Sequence, residues 1–163
     1  MISSFLPVST ESDFSLANIP FGVASLKNSP TLPFCVTAIG DHVLNLGVLQ
    51  DAGAFDMVDG LHPHTFQAPT LNPFLEHAPQ VWPLVRQRLL AILRNDADGD
   101  AWLCDNEALR KACIYDRDQV QMHLPFKVGE YTDFYSSREH ATNVGVSLIY
   151  LYIFFLPEFE PSL

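Results

Sequence analysis

Tyr131, Asp133 and Tyr135 stand at alternate positions, and His140 follows within the same run, Gly129-Glu130-Tyr131-Thr132-Asp133-Phe134-Tyr135-Ser136-Ser137-Arg138-Glu139-His140-Ala141-Thr142-Asn143. In an extended chain successive side chains point to opposite faces, so this alternation puts two phenols and a carboxylate on one side. A carboxylate is a hard oxygen ligand, which makes Asp133 a candidate ligand for a divalent cation, one among the several that Mg²⁺ or Ca²⁺ requires. An imidazole titrates nearest to neutral pH, which makes His140 a candidate general base.

The elements that must position these groups can be read from the same residues. Ser136 and Glu139 have the S-x-x-E spacing of a capping box, so a strand is expected to run into a helix that begins at Ser137. With Ser136 as N-cap, Tyr135 and His140 occupy the two positions that meet in a hydrophobic staple. The positive end of the helix dipole beside His140 disfavours the imidazolium and keeps the ring able to accept a proton. A structural reading of the same residues stands beside this one. A histidine in a polar stretch serves as a hydrogen-bonding strut, an aspartate before a helix as a cap, and alternating aromatics as one side of a packed strand.

The remainder of the chain sets the frame. Its 163 residues suffice for one ordinary domain, and 48% hydrophobic against 17% charged residues is enough apolar surface for a core. A net charge of -10 repels phosphate backbones and anionic lipid alike, which argues against nucleic acid as a partner. Cys35, Cys104 and Cys113 have no metal-ligand spacing and are read as reduced structural thiols. No basic segment precedes Lys27 and no long apolar stretch follows Met1, so a cytosolic (cytoplasmic) address is expected.

Up to Asp118, short apolar runs between Pro, Gly, Asn and Asp predict strands followed by helices. Phe34–Ile39, Gly40-Asp41 and His42–Leu46 read as a hairpin with a two-residue II′ turn. Val81, Trp82, Val85, Leu89, Ile92 and Leu93 recur at helical spacing, which predicts an amphipathic helix between Ala78 and Asn95. It leads into Asn95–Asp100, an acidic loop whose glycine is misplaced for a calcium-binding loop. A second helix is expected over Asn106–Ala112 with Asp105 as N-cap. His62, His64 and His77 are expected to face solvent. Val146–Leu156 is uncharged and apolar but stops at Pro157, short of the roughly 20 residues a bilayer span needs. Its composition predicts an aggregation-prone extended segment, not a membrane anchor.

Met122-His123-Leu124-Pro125, the run Gly129–Arg138, and His140-Ala141-Thr142-Asn143-Val144-Gly145 together resemble the fumarylacetoacetases. The likeness reaches back through Gln67–Asn72 and Glu107–Cys113 to Ser4–Val8, and so covers Ser4 to Gly145. It implies an α+β, mainly β fold: an SH3-like β-barrel N-terminal domain over residues 1–118, then the opening strand-helix segment of a β-rich catalytic domain over 119–145. It further implies hydrolysis of a carbon-carbon bond in a β-diketone, giving fumarate and acetoacetate in tyrosine breakdown. Asp133 would be a metal ligand for Mg²⁺ and/or Ca²⁺, Tyr135 a substrate contact, His140 the general base, and a complete relative a homodimer.

After Gly145 the likeness stops. The family continues with an arginine-bearing substrate-contact segment and the remaining metal carboxylates, whereas Val146-Ser147 opens an unrelated apolar tail over 146–163. Val-Ser is also the in-frame translation of a GTAAGT splice donor, so a retained intron is one expected origin of the tail. Two functions follow: a truncated, inactive fumarylacetoacetase, or a non-catalytic interaction module whose apolar tail is covered by a partner.

Overall fold

The computed structural model describes residues 3–96, 98–132, 134 and 136–155. Five antiparallel strands, β1 (Phe21–Leu26), β2 (Phe34–Ile39), β3 (His42–Asn45), β4 (Ile114–Asp116) and β5 (Val120–His123), form one curled sheet in the order β4-β3-β2-β1-β5. With the helices laid against it, the architecture is α+β and SH3-like, as expected, with the sheet curled into a half-barrel. The β2–β3 hairpin forms as its residues require, with Ile39 opposite His42 and Gly40 at φ 56°. That backbone is open to glycine and strained for other residues. Here a side chain would also meet the Pro7 carbonyl oxygen at 2.6 Å, so the N-terminal segment closes over the turn.

Between β3 and β4 lie α1 (Leu46–Asp51), α2 (Asn72–Leu75), α3 (Val81–Leu93) and α4 (Glu107–Cys113). Asn45 ends β3 and caps α1 by accepting from the Val48 N–H at 3.1 Å. The periodic residues of the predicted long helix form α3, and Val81, Val85, Leu89, Ile92 and Leu93 are buried on one stripe of it. Full burial of such a side chain stabilises by roughly 1.5–3 kcal/mol, so this stripe is the main anchor of the helical layer. α4 starts one residue later than expected. Asn106, not Asp105, accepts from the Leu109 N–H at 3.0 Å.

Strand alternation divides the sheet's side chains into two sets. Val23, Cys35, Ile39 and Leu44 join the helical core with Phe66, Leu89 and Leu103. Ala24, Val36, Val43 and Val120 form a second, smaller cluster on the other face. Ile19, just before β1, is a β-branched residue at φ 45°, and its near-complete burial offsets that strain.

Two expectations are corrected. Residues 119–123, which composition groups with the downstream segment beyond Asp118, include β5, paired along β1 from Val23↔His123 to Leu26↔Val120. The first compact unit therefore continues to Lys127. The apolar stretch after Gly145 is not extended either. In the second unit α5 (Arg138–Phe155) runs through Gly145 and Val146 without a break. A helix satisfies its backbone groups internally, whereas a strand needs a neighbour to do so. Val146, Leu148 and Ile149 are exposed on it. No helix among the described residues is long and apolar enough to cross a membrane.

Gly40→Ala is expected to lower the unfolding free energy by at least about 1–2 kcal/mol from the left-handed backbone alone, and further through the Pro7 contact. Urea denaturation followed by circular dichroism measures this. An unchanged midpoint would show that the turn does not have the conformation described.

Candidate functional site

The residues singled out for chemistry fall in the second unit. Asp133 and Tyr135 lie outside the described residues. His140 is the third residue of α5 and exposed, and its backbone N–H donates to Ser137 Oγ at 3.0 Å. The Ser137 carbonyl accepts from the Ala141 N–H at 3.1 Å. Both bonds are those of an N-cap, so the helix is capped by Ser137, one residue later than the Ser136/Glu139 box predicts. His140 is thereby at the position expected of Glu139, and the staple positions become Ser136 and Ala141, not Tyr135 and His140. Glu139 stays in the first turn, where a carboxylate still complements the dipole. His140 remains in that turn too.

Elsewhere the fold assembles polar groups that local sequence does not bring together. Ser25 Oγ lies 2.7 Å from His123 Nε2 across β1 and β5. The distance suits a nucleophile and its base, but Ser25 has no solvent exposure, so the pair serves to lock the two strands. His77 is buried, against the expectation that it faces solvent. Its Nε2 accepts from the His62 N–H at 2.9 Å, which fixes Nδ1 as the donor to the Pro73 carbonyl at 2.8 Å. Burial demanded both partners, and the ring ties two loops together. His62 and His64 are exposed as expected.

The acidic loop after α3 is neutralised by arginines. Arg94 meets Asp96 at 2.8 Å and Asp98 at 3.0 Å. Arg88 donates to Asp100 at 2.6 Å and to the Ala54 carbonyl at 2.7 Å. Asp100 also accepts from the Trp102 N–H at 2.9 Å. The Arg88 hydrogen bond, with that of the Trp102 N–H, holds the Asp100 carboxyl below the usual carboxylate range, and the Arg94 hydrogen bond does the same for Asp96. Burial pushes the Cys35 thiol up to about 12 and that of Cys113 to about 11, so both are poor nucleophiles, as structural thiols should be. Among the described residues no three His, Cys, Asp or Glu side chains come together as a metal site. The described part of this chain does not by itself fit a divalent cation.

The sequence profile of a family described as "Fumarylacetoacetase N-terminal" matches residues 17–125, nearly the extent of the first compact unit beyond its N-terminal segment. The chain is 39% identical over 147 residues to Fumarylacetoacetase fahA of Aspergillus fumigatus, covering 89% of this chain and 34% of that protein. It is 39% identical over 146 residues to the fumarylacetoacetase of Homo sapiens, covering 88% and 33%. With that of Caenorhabditis elegans it shares 40% over 146 residues, covering 89% and 34%. The chain thus spans about a third of the length of the curated relatives it matches.

Two outcomes test this geometry. Ser137→Ala is expected to cost about 1 kcal/mol of helix stability and to speed amide exchange at His140, while Ser136→Ala leaves both unchanged. The reverse order would restore the Ser136 cap. Because the folded values of Asp100 and Asp96 are lowered, their contribution to stability is present above the ordinary carboxylate value and lost as pH falls through the folded values. Stability measured from about pH 5 downward should therefore fall less steeply in Arg88→Met than in the parent. An identical slope would mean that the Arg88 pair is not formed in solution.

Proposed function

This chain belongs to the fumarylacetoacetase N-terminal family, and from that membership we propose that residues 129–145 supply three groups to a fumarylacetoacetase-type hydrolytic site completed by residues outside this chain. The observation that carries the reading is the match over 17–125 together with 39% identity continuing over 147 residues. The substrate proposed is a β-diketone acid, cleaved at a carbon-carbon bond to fumarate and acetoacetate. His140, in the first turn of α5, takes the proton of the attacking water. Tyr135 holds the substrate.

Asp133 is proposed as one oxygen ligand of Mg²⁺ and/or Ca²⁺, a cation that would polarise the diketone when bound. One carboxylate cannot close a site for either ion. The complete enzyme is proposed to be a cytoplasmic homodimer, with neither nucleic acid nor membrane as partner.

The 163-residue chain on its own is expected to show no turnover above background. Positioning of reactants contributes about 7–11 kcal/mol of barrier reduction in a formed site, and three groups without an enclosing domain supply little of it. Fumarate release by the purified chain with Mg²⁺ present tests this. Sustained release abolished by His140→Ala would contradict the inactive reading while supporting the role of His140.

A further inference from the structure

We propose that the sheet face opposite the helices carries a binding site for a small amphiphilic carboxylate, a single-ring apolar body with one acid group. A cleft of about 290 Å³ opens there, its walls drawn from Gly22 on β1, Val36 and Ala38 on β2, and Val43 on β3. The cleft exists because the strands present small residues on this side. Gly22, the second residue of β1, leaves a gap in the strand's side chains. A side chain there would come within 3.1 Å of Met122 Cε. Met122 is exposed and unbranched, so it can swing aside and widen the opening.

The mouth determines which ligand fits. Arg117 lines the cleft, and its guanidinium is held 4.7 Å from the Phe14 ring centroid, which also lines it. The backbone N–H of Arg117 donates to the Asp41 carbonyl at 2.9 Å, so the residue is anchored independently of its side chain. A guanidinium offers five N–H donors in a planar fork. Its contact with Asp41 is 3.5 Å long, and that carboxylate is 92% exposed, so the pairing is weak and readily exchanged for a ligand's. Among the described lining residues Arg117 is the charged one, and the remainder are apolar.

A cation would be repelled, and a neutral apolar body would gain only the burial of its ring. An anionic amphiphile gains both burial and a charge-assisted hydrogen bond. The volume of about 290 Å³ falls just under the usual range for ligand clefts, about 300–1,000 Å³, which limits the ligand to roughly one ring and a short arm. The site belongs to the first unit and does not rest on the roles of Asp133, Tyr135 or His140.

Titration of the full chain with 3-phenylpropionate, followed by the amide resonances of Gly22, Ala38 and Val120, tests the proposal. Saturable shifts are expected. Affinity should fall about tenfold in Arg117→Gln, the low end for a hydrogen bond to a charged group because the guanidinium is half-exposed. The same fall is expected when 3-phenylpropanol replaces the acid, a comparison that needs no variant and stands if Arg117→Gln does not fold. Absence of saturable shifts in the folded chain, or a loss smaller than threefold in either comparison, would overturn it.

Discussion

The first unit depends on β1 being hydrogen-bonded along both edges, to β2 on one side and to β5 on the other. The first partner is a near neighbour in sequence. The second lies at the far end of the domain, and the Ser25 and His123 side chains that join across it are 98 positions apart. The ladder continues beyond the strands, where the Lys27 N–H donates to the Gln119 carbonyl at 2.9 Å. Everything between β3 and β4, the helices included, is an insertion within an open sheet whose outer strands are β4 and β5. A central strand paired on both sides has no free edge to recruit another chain.

The β1–β5 pairing also determines how the chain leaves the domain. After β5 the Pro125 carbonyl accepts from the Leu71 N–H at 2.8 Å, and Lys127 exchanges two hydrogen bonds with Asn72. The polypeptide is thus pinned to the end of the first unit just before the run that carries Asp133, Tyr135 and His140.

How much of this was legible in the residues depended on range. The β2–β3 hairpin was readable because its turn is two residues long and requires a glycine at one place. α3 was readable because its apolar period is long. Each cap misplaced by one residue had two good capping residues side by side: Asp105 and Asn106 for α4, Ser136 and Ser137 for α5. Propensity does not choose between such neighbours, and hydrogen-bond geometry does. β5 was not visible as a strand of this sheet because the alternation in Val120–His123 has meaning only against β1. His77 was misread because nothing local shows that it is buried. The resemblance carried by the motifs named the family correctly.

Native-state hydrogen exchange on the full chain tests the two-edged pairing of β1 most directly. The paired amides of β1, β2 and β5 should exchange through a single global opening, with one free energy and one denaturant dependence. Exchange of the β5 amides at a markedly lower free energy than those of β2, in a class with α5, would contradict the account, since β1 would then stand without its second partner.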